Sequence, residues 1–172
     1  MEYTIPLQTI TDTWAEALKT SESITAYCTE HFSRAPIVMV GGNPRNAPSA
    51  DICPYIVLMN GMKYEGADMD TLTYHVGVVW AVYNPKTLLD GVEMTNSKDL
   101  ASASLVTLPG AQEVDELGQL IYETLQTTAT DRGWPISRIE YDVTPASTFP
   151  QFGGTMVCTT EITPSMGEVL TY

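Results

Sequence analysis

The stretch LTYHVGVVWAVY, residues 72–83, decides the fold. Leu72, Tyr74, Val76, Val78, Trp80 and Val82 alternate onto one face. An apolar period of two sustained over this length reads as a β-strand. The other face, Thr73, His75, Gly77, Val79, Ala81 and Tyr83, is only partly polar. Both faces are therefore expected to be covered, one by helices and the other by a partner or an arm.

Upstream of this strand, Pro54 to Met59 is a second apolar, β-rich run, and the Asn60-Gly61 that follows signals a turn or bulge. Residues 65–70 then read as the loop of an antiparallel pair. Ile37 to Val40 is a short candidate strand closed by Gly41-Gly42, and 43–51 (NPRNAPSAD) has the composition of an exposed loop. Earlier still, Trp14, Ala17, Leu18, Ile24, Tyr27, Cys28 and His31 fall at helical spacings. They predict one helix from about Asp12 to Ser33, opened by a Thr13-x-x-Glu16 capping box and ended before Pro36.

Downstream, Asn84-Pro85 stops the strand. From there to Pro109 no period dominates, and so long an irregular connection within one domain is usually functional or disordered. The segment nevertheless holds Leu88, Leu89, Val92, Met94, Leu105, Val106 and Leu108, more apolar residues than a solvated loop needs. It reads as an arm or hairpin packed on another subunit, with Leu88, Leu89, Val92, Met94, Leu105 and Val106 as the candidate interface. Val114, Leu117, Leu120, Ile121 and Leu125 then predict a helix over about 110–129, its acidic residues gathered early as the helix dipole favours. Ile139, Tyr141 and Val143 alternate as a strand, 145–154 reads as a loop, and Met156, Cys158, Thr160 and Ile162 close the domain as a final strand. The expected fold is α+β: a mostly antiparallel sheet with two helices packed on one face, in a single domain over 1–163. The arm is inserted at about 84–108, and 164–172 forms a tail.

Composition narrows the function. The chain has 172 residues, 21 acidic and 8 basic side chains and a formal charge of −13. No run is long and apolar enough for a membrane helix, and the first residues lack the basic and apolar regions of a signal peptide. The eight basic residues are scattered, so no electrostatic footprint for nucleic acid appears. The acidity fits solubility, a surface that passes near DNA without sticking to it, or one that docks on a basic partner. Cys28, Cys53 and Cys158 are odd in number and irregularly spaced, which reads as buried thiols in a reducing cytoplasm.

The chemical motifs are sparse. Cys28-x-x-His31 puts a thiol and an imidazole one helical turn apart, but zinc needs two further ligands at a paired spacing. Glu65, Asp68 and Asp70 share one loop without the calcium-loop pattern. His75 reads as a satisfied sheet histidine. Gly41-Gly42 lacks both phosphate-loop patterns, and no G-x-S-x-G elbow occurs. No catalytic residue, cofactor or metal is expected.

Three stretches, Ala35-Pro-Ile-Val-Met-Val, Pro54-Tyr-Ile-Val-Leu-Met and the strand from Leu72 to Tyr83, resemble tail terminator proteins of long-tailed bacteriophages. The order of elements over about 10–163 is similar too. The resemblance implies a structural protein that forms a six-membered ring at the head-proximal end of the tail tube. Such a ring ends tube polymerisation and offers a docking face to head-completion or adaptor proteins. Its partners would be further copies of itself, the tail tube protein and the head-completion protein, with DNA passing through unbound and no membrane involved. Its place would be the virion neck, after assembly in the host cytoplasm. The alternatives are a head-closure or minor capsid connector and, from another class, a small α+β enzyme or ligand-binding domain.

Overall fold

The structure, a computed structural model, describes residues 5–42, 48–64, 71–144 and 149–163. The fold is α+β, as expected. A five-stranded sheet has the order β1-β2-β3-β8-β7, built from β1 (Ile37–Val40), β2 (Tyr55–Tyr64), β3 (Leu72–Tyr83), β7 (Ile136–Thr144) and β8 (Gln151–Ile162). A second sheet of three two-residue strands, β4 (Leu88–Leu89), β5 (Val92–Glu93) and β6 (Val106–Thr107), lies between β3 and the helix α3 (Pro109–Asp131).

The alternation in β3 is realised in full. Leu72, Tyr74, Val76, Val78, Trp80 and Val82 are all buried on the helix side of the sheet. Across from them in register stand Ile56 and Leu58 of β2 and Phe152, Met156 and Cys158 of β8. Three helices cover this face. α1 (Leu7–Thr20) contributes Ile10, Trp14 and Leu18, α2 (Glu22–Phe32) contributes Ile24 and Cys28, and α3 contributes Val114, Leu117, Ile121, Leu125 and Ala129. These positions repeat at three or four residues, the spacing that keeps one helical face toward a core.

Trp80 centres the packing. Its indole Nε1 donates to the carbonyl of Val114 at 2.8 Å. Its ring lies against Gly118 of α3 and Gly154 of β8, where a methyl group would collide with it. Both glycines are there for closeness of approach rather than for backbone freedom.

Several expectations are corrected. The predicted single N-terminal helix is two, because Ser21 adopts an extended conformation and its side chain caps the second helix by accepting from the Ile24 amide. The capping box at Thr13 and Glu16 does not form. Thr13 lies inside α1, and its hydroxyl donates to the carbonyl of Thr9 at 2.7 Å. The mostly antiparallel sheet is as expected, with β1 alone running parallel to its neighbour β2. Of the turn or bulge expected at Asn60-Gly61, the structure has the bulge, through which β2 continues to Tyr64. Gly61 is needed there, because a Cβ would strike the carbonyl of His75. β8 begins at Gln151, inside the predicted 145–154 loop. Most of the 43–51 loop, all of 65–70 with the Glu65, Asp68 and Asp70 cluster, residues 145–148 and the 164–172 tail lie outside the described residues.

Candidate functional site: the arm and the cleft at its root

The arm is ordered by backbone hydrogen bonds rather than by a core of its own. β4 is the middle strand, paired antiparallel with β5 and with β6. The hairpin between β4 and β5 turns on Asp90 and Gly91, both at positive φ (49° and 86°). That is the mirror-image turn whose twist suits a two-residue hairpin, and Asp-Gly is among its preferred pairs. The Asp90 carboxylate then accepts from the amides of Ser104 (3.2 Å) and Leu105 (2.8 Å), which ties the turn to the returning chain. A 3-10 helix over Ser97–Ser102 links β5 to β6, capped by the Asn96 side chain.

This construction faces apolar side chains outward. Of the six predicted interface residues, Val92 is 70% exposed, Leu105 62% and Val106 46%, while Leu88, Leu89 and Met94 are half-buried. Leu100 joins the exposed set at 45%. Burying one such side chain stabilises by about 1.5–3 kcal/mol.

At the arm's root, Asn84 is buried and its polar groups are committed. Its amide donates to the carbonyl of Pro150, its Nδ2 donates to Glu113 Oε2 at 2.8 Å, and its Oδ1 accepts from the Lys86 amide at 2.9 Å. Glu113 Oε1 lies 3.6 Å from His31 Nδ1. The His31 ring stacks on Tyr27 with centroids 4.2 Å apart, and the Tyr27 hydroxyl donates to Glu116 at 2.7 Å. Burial first, then the hydrogen bond to Glu116, raises the Tyr27 pKa far above its ordinary value. The same bond, with that from Gln112, holds Glu116 below the usual carboxylate range.

Beside this chain of contacts opens a cleft of about 870 Å³, within the size range of small-molecule sites. The end of α2, the 3-10 turn Ala50–Ile52, the arm's root and the start of α3 bound it. Phe32, Tyr83 and Leu88 give it apolar walls, and His31, Arg34, Lys86 and Glu113 give it polar ones.

The other residues singled out in the sequence do not converge. His75 lies on the far side of the sheet, its Nδ1 2.9 Å from the Thr159 hydroxyl and its ring edge-on to Tyr64. Cys28 is fully buried beneath α2 while His31 faces the cleft. Burial pushes the Cys28 and Cys158 thiols up to about 12. It pushes Cys53 up to about 11, against the pull of the Arg34 guanidinium. Thiols held in that range are poor nucleophiles at neutral pH. Among the described residues, no three His, Cys, Asp or Glu side chains gather as a metal site, and no helix is long and apolar enough to cross a membrane.

The sheet face opposite the helices divides in two. On β1–β3 a second apolar cluster, with no α-helix residue in it, joins buried Cys53, Tyr55, Val57 and Ala81 to partly buried Ile37, Met39, Ile52, Met59 and Val79. On β8 and β7 the same face carries Thr155, Val157 and Glu161, then Arg138, Glu140 and Asp142.

Sequence reasoning missed Asp90 and the Asn84–Glu113 tie. The dipeptide Asp90-Gly91 was the available signal for the first. The second joins residues too far apart in sequence to leave a local trace. No protein-family model matches the chain, and no curated protein matches it.

Proposed function

We propose that the protein is a structural component that assembles with copies of itself through the arm, and that it forms the terminator ring of a long-tailed phage tail. The observation that carries the first part is the arm's outward apolar surface: Val92, Leu105 and Val106 are held in water by a hydrogen-bonded frame. A monomer gains nothing from that arrangement, whereas a neighbouring subunit can bury it. The second part rests on the resemblance of the strand sequences to tail terminators.

In this reading each copy covers the next copy's arm, and the contacts close into a ring, six-membered by the resemblance. The ring seats on the head-proximal end of the tail tube, stops further addition of tube protein and presents its other face to a head-completion or adaptor protein. DNA passes through its centre, and the acidic charge limits sticking. The work is binding, without a chemical step.

The test is solution mass by light scattering, alone and with the tail tube protein. A discrete ring-sized species, free or on the tube, is the expected result. A monomer indifferent to tube protein overturns the reading. Ring formation on a portal or adaptor in place of the tube would assign the protein to head closure instead.

A second reading, a ligand-binding or hydrolytic domain, draws support from the cleft beside His31 and Glu113. It predicts a small molecule that raises the melting temperature of the unmodified protein but not that of His31→Ala.

A further inference from the structure

We propose that the cleft binds a small monocarboxylic acid with an apolar body, its carboxylate on the Arg34 guanidinium and its body among Phe32, Tyr83 and Leu88. The inference rests on the second reading above, that the cleft takes a ligand, and names the ligand's class. It holds whether or not the chain assembles.

Arg34 carries the argument. It lies just past the end of α2, and its Nη1 donates to the backbone carbonyl of Asp51 at 3.3 Å. That contact steadies the side chain at the cleft and uses one of its five N–H donors. Among the described residues, no carboxylate lies within ion-pair reach of the guanidinium. Its Nε–Nη2 edge is left with two parallel N–H groups, the fork that a carboxylate accepts. The acids that share the cleft are held elsewhere. Asp51 accepts from the Ser49 hydroxyl at 3.0 Å, Glu93 lies 4.0 Å from Lys86, and Glu113 accepts from Asn84 beside His31. The sequence around Arg34 favours an anion as well. Residues 31–50 form the longest acid-free run in a chain of net charge −13, and they include Arg34 and Arg45.

The other walls set the class of acid. Phe32, Tyr83 and Leu88 line the cleft, and Tyr83 is still 42% exposed, so an apolar body gains by covering it. A volume of about 870 Å³ holds a small organic molecule. One negative charge suits the site better than two. Asp51, Glu93 and Glu113 line the same walls as Arg34, and a phosphate dianion meets about twice the repulsion from them that a carboxylate meets. A neutral amide escapes that repulsion but forms the weaker, uncharged hydrogen bonds to the guanidinium.

The experiment titrates the full-length protein with three probes that share a phenyl ring: phenylacetate, 2-phenylacetamide and phenyl phosphate. Saturation-transfer NMR reads the binding on a monomer or an assembly alike. Phenylacetate is expected to bind about tenfold more tightly than the amide, and more tightly than the phosphate. Arg34→Gln is expected to remove the advantage over the amide and Arg34→Lys to keep part of it, while Tyr83→Ala weakens all three probes together. Arg34 and Tyr83 are both exposed, so these variants are expected to fold, and their melting temperatures check it. An amide that binds as well as the acid, a phosphate that binds better, or an acid advantage that survives Arg34→Gln overturns the inference and leaves the ligand-binding reading standing. Binding by none of the three also overturns it. The ligand-binding reading survives that result only if a neutral or basic fragment of similar size binds and is lost in Tyr83→Ala.

Discussion

Asn84 Nδ2 and Glu113 Oε2 are joined by a 2.8 Å hydrogen bond that fixes the first residue of the arm to the third helix. Through Glu113 the tie reaches His31, and through the stacked ring of His31 it reaches Tyr27 on the same helix. The arm's root is therefore held by polar contacts that depend on charge.

Replacing Asn84 by Ala leaves the Glu113 carboxylate short of a donor at a half-buried position on the cleft wall. The expected loss is about 1–2 kcal/mol in urea unfolding, the range for a hydrogen bond to a partly solvated charged group. Asn84→Asp sets two carboxylates together and is expected to cost more than Asn84→Ala at neutral pH. Equal losses from the two variants would show that residue 84 does not face the Glu113 carboxylate.

Asp90 holds the arm's tip. Asp90→Ala removes the acceptor for the Ser104 and Leu105 amides and places a residue less suited to positive φ in the turn. Because the arm shares little of the core, global stability is expected to move by less than about 1 kcal/mol, while hydrogen exchange at those two amides speeds up at least tenfold. Unchanged exchange would mean that the frame persists without the carboxylate.

Gly118 and Gly154 are expected to tolerate no side chain. A methyl at either collides with the Trp80 ring, which is held by its bond to Val114 and cannot retreat. Gly154→Ala should cost about 1–3 kcal/mol, as overpacking does, and shift the tryptophan near-UV signal. Gly41→Ala is the informative contrast. No atom lies near its Cβ position, and only its positive φ of 80° opposes the change.

Alkaline pH is expected to unfold the protein early. The Cys28 and Cys158 thiols have an ordinary value of 9.0 and are raised to about 12 by burial. Between those values the folded chain keeps protons that the unfolded chain releases, so stability falls as pH rises through the window. Cys158→Ala should flatten the slope of unfolding free energy against pH there, at the cost of a small cavity. An unchanged slope would show that the thiol is not buried as described.

The fold was legible where burial is one-sided. Residues 72–83 declare their strand because the core takes every second side chain, and the stripe from Val114 to Leu125 declares its helix for the same reason. The limits of the arm were legible from Asn84-Pro85 and Pro109. The break at Ser21 was not, because Thr20-Ser21-Glu22 contains no proline or glycine and the helical spacing runs on across it. The parallel pairing of β1 was hidden as well, since parallel neighbours usually announce themselves by an intervening helix. At the candidate site, the exposure of the arm's apolar residues followed from their number. Their frame depends on one carboxylate reaching two distant amides, which no periodicity records.

The longest pairing in the sheet, β3 with β8, has an effect on how the protein is made. His75 and Thr159 meet across 84 positions of chain. Synthesis delivers β3, then the arm, then α3, and only afterwards the strand that completes the middle of the sheet. For that interval the nascent chain displays the sticky arm and an unfinished sheet side by side on the ribosome. Pairings this far apart in sequence also form slowly. In a cell making many copies, premature contact between neighbouring nascent chains becomes the characteristic hazard. Yield should therefore rise with fewer ribosomes per message, which keeps nascent chains apart, and with holdase chaperones that shield the arm until β8 arrives.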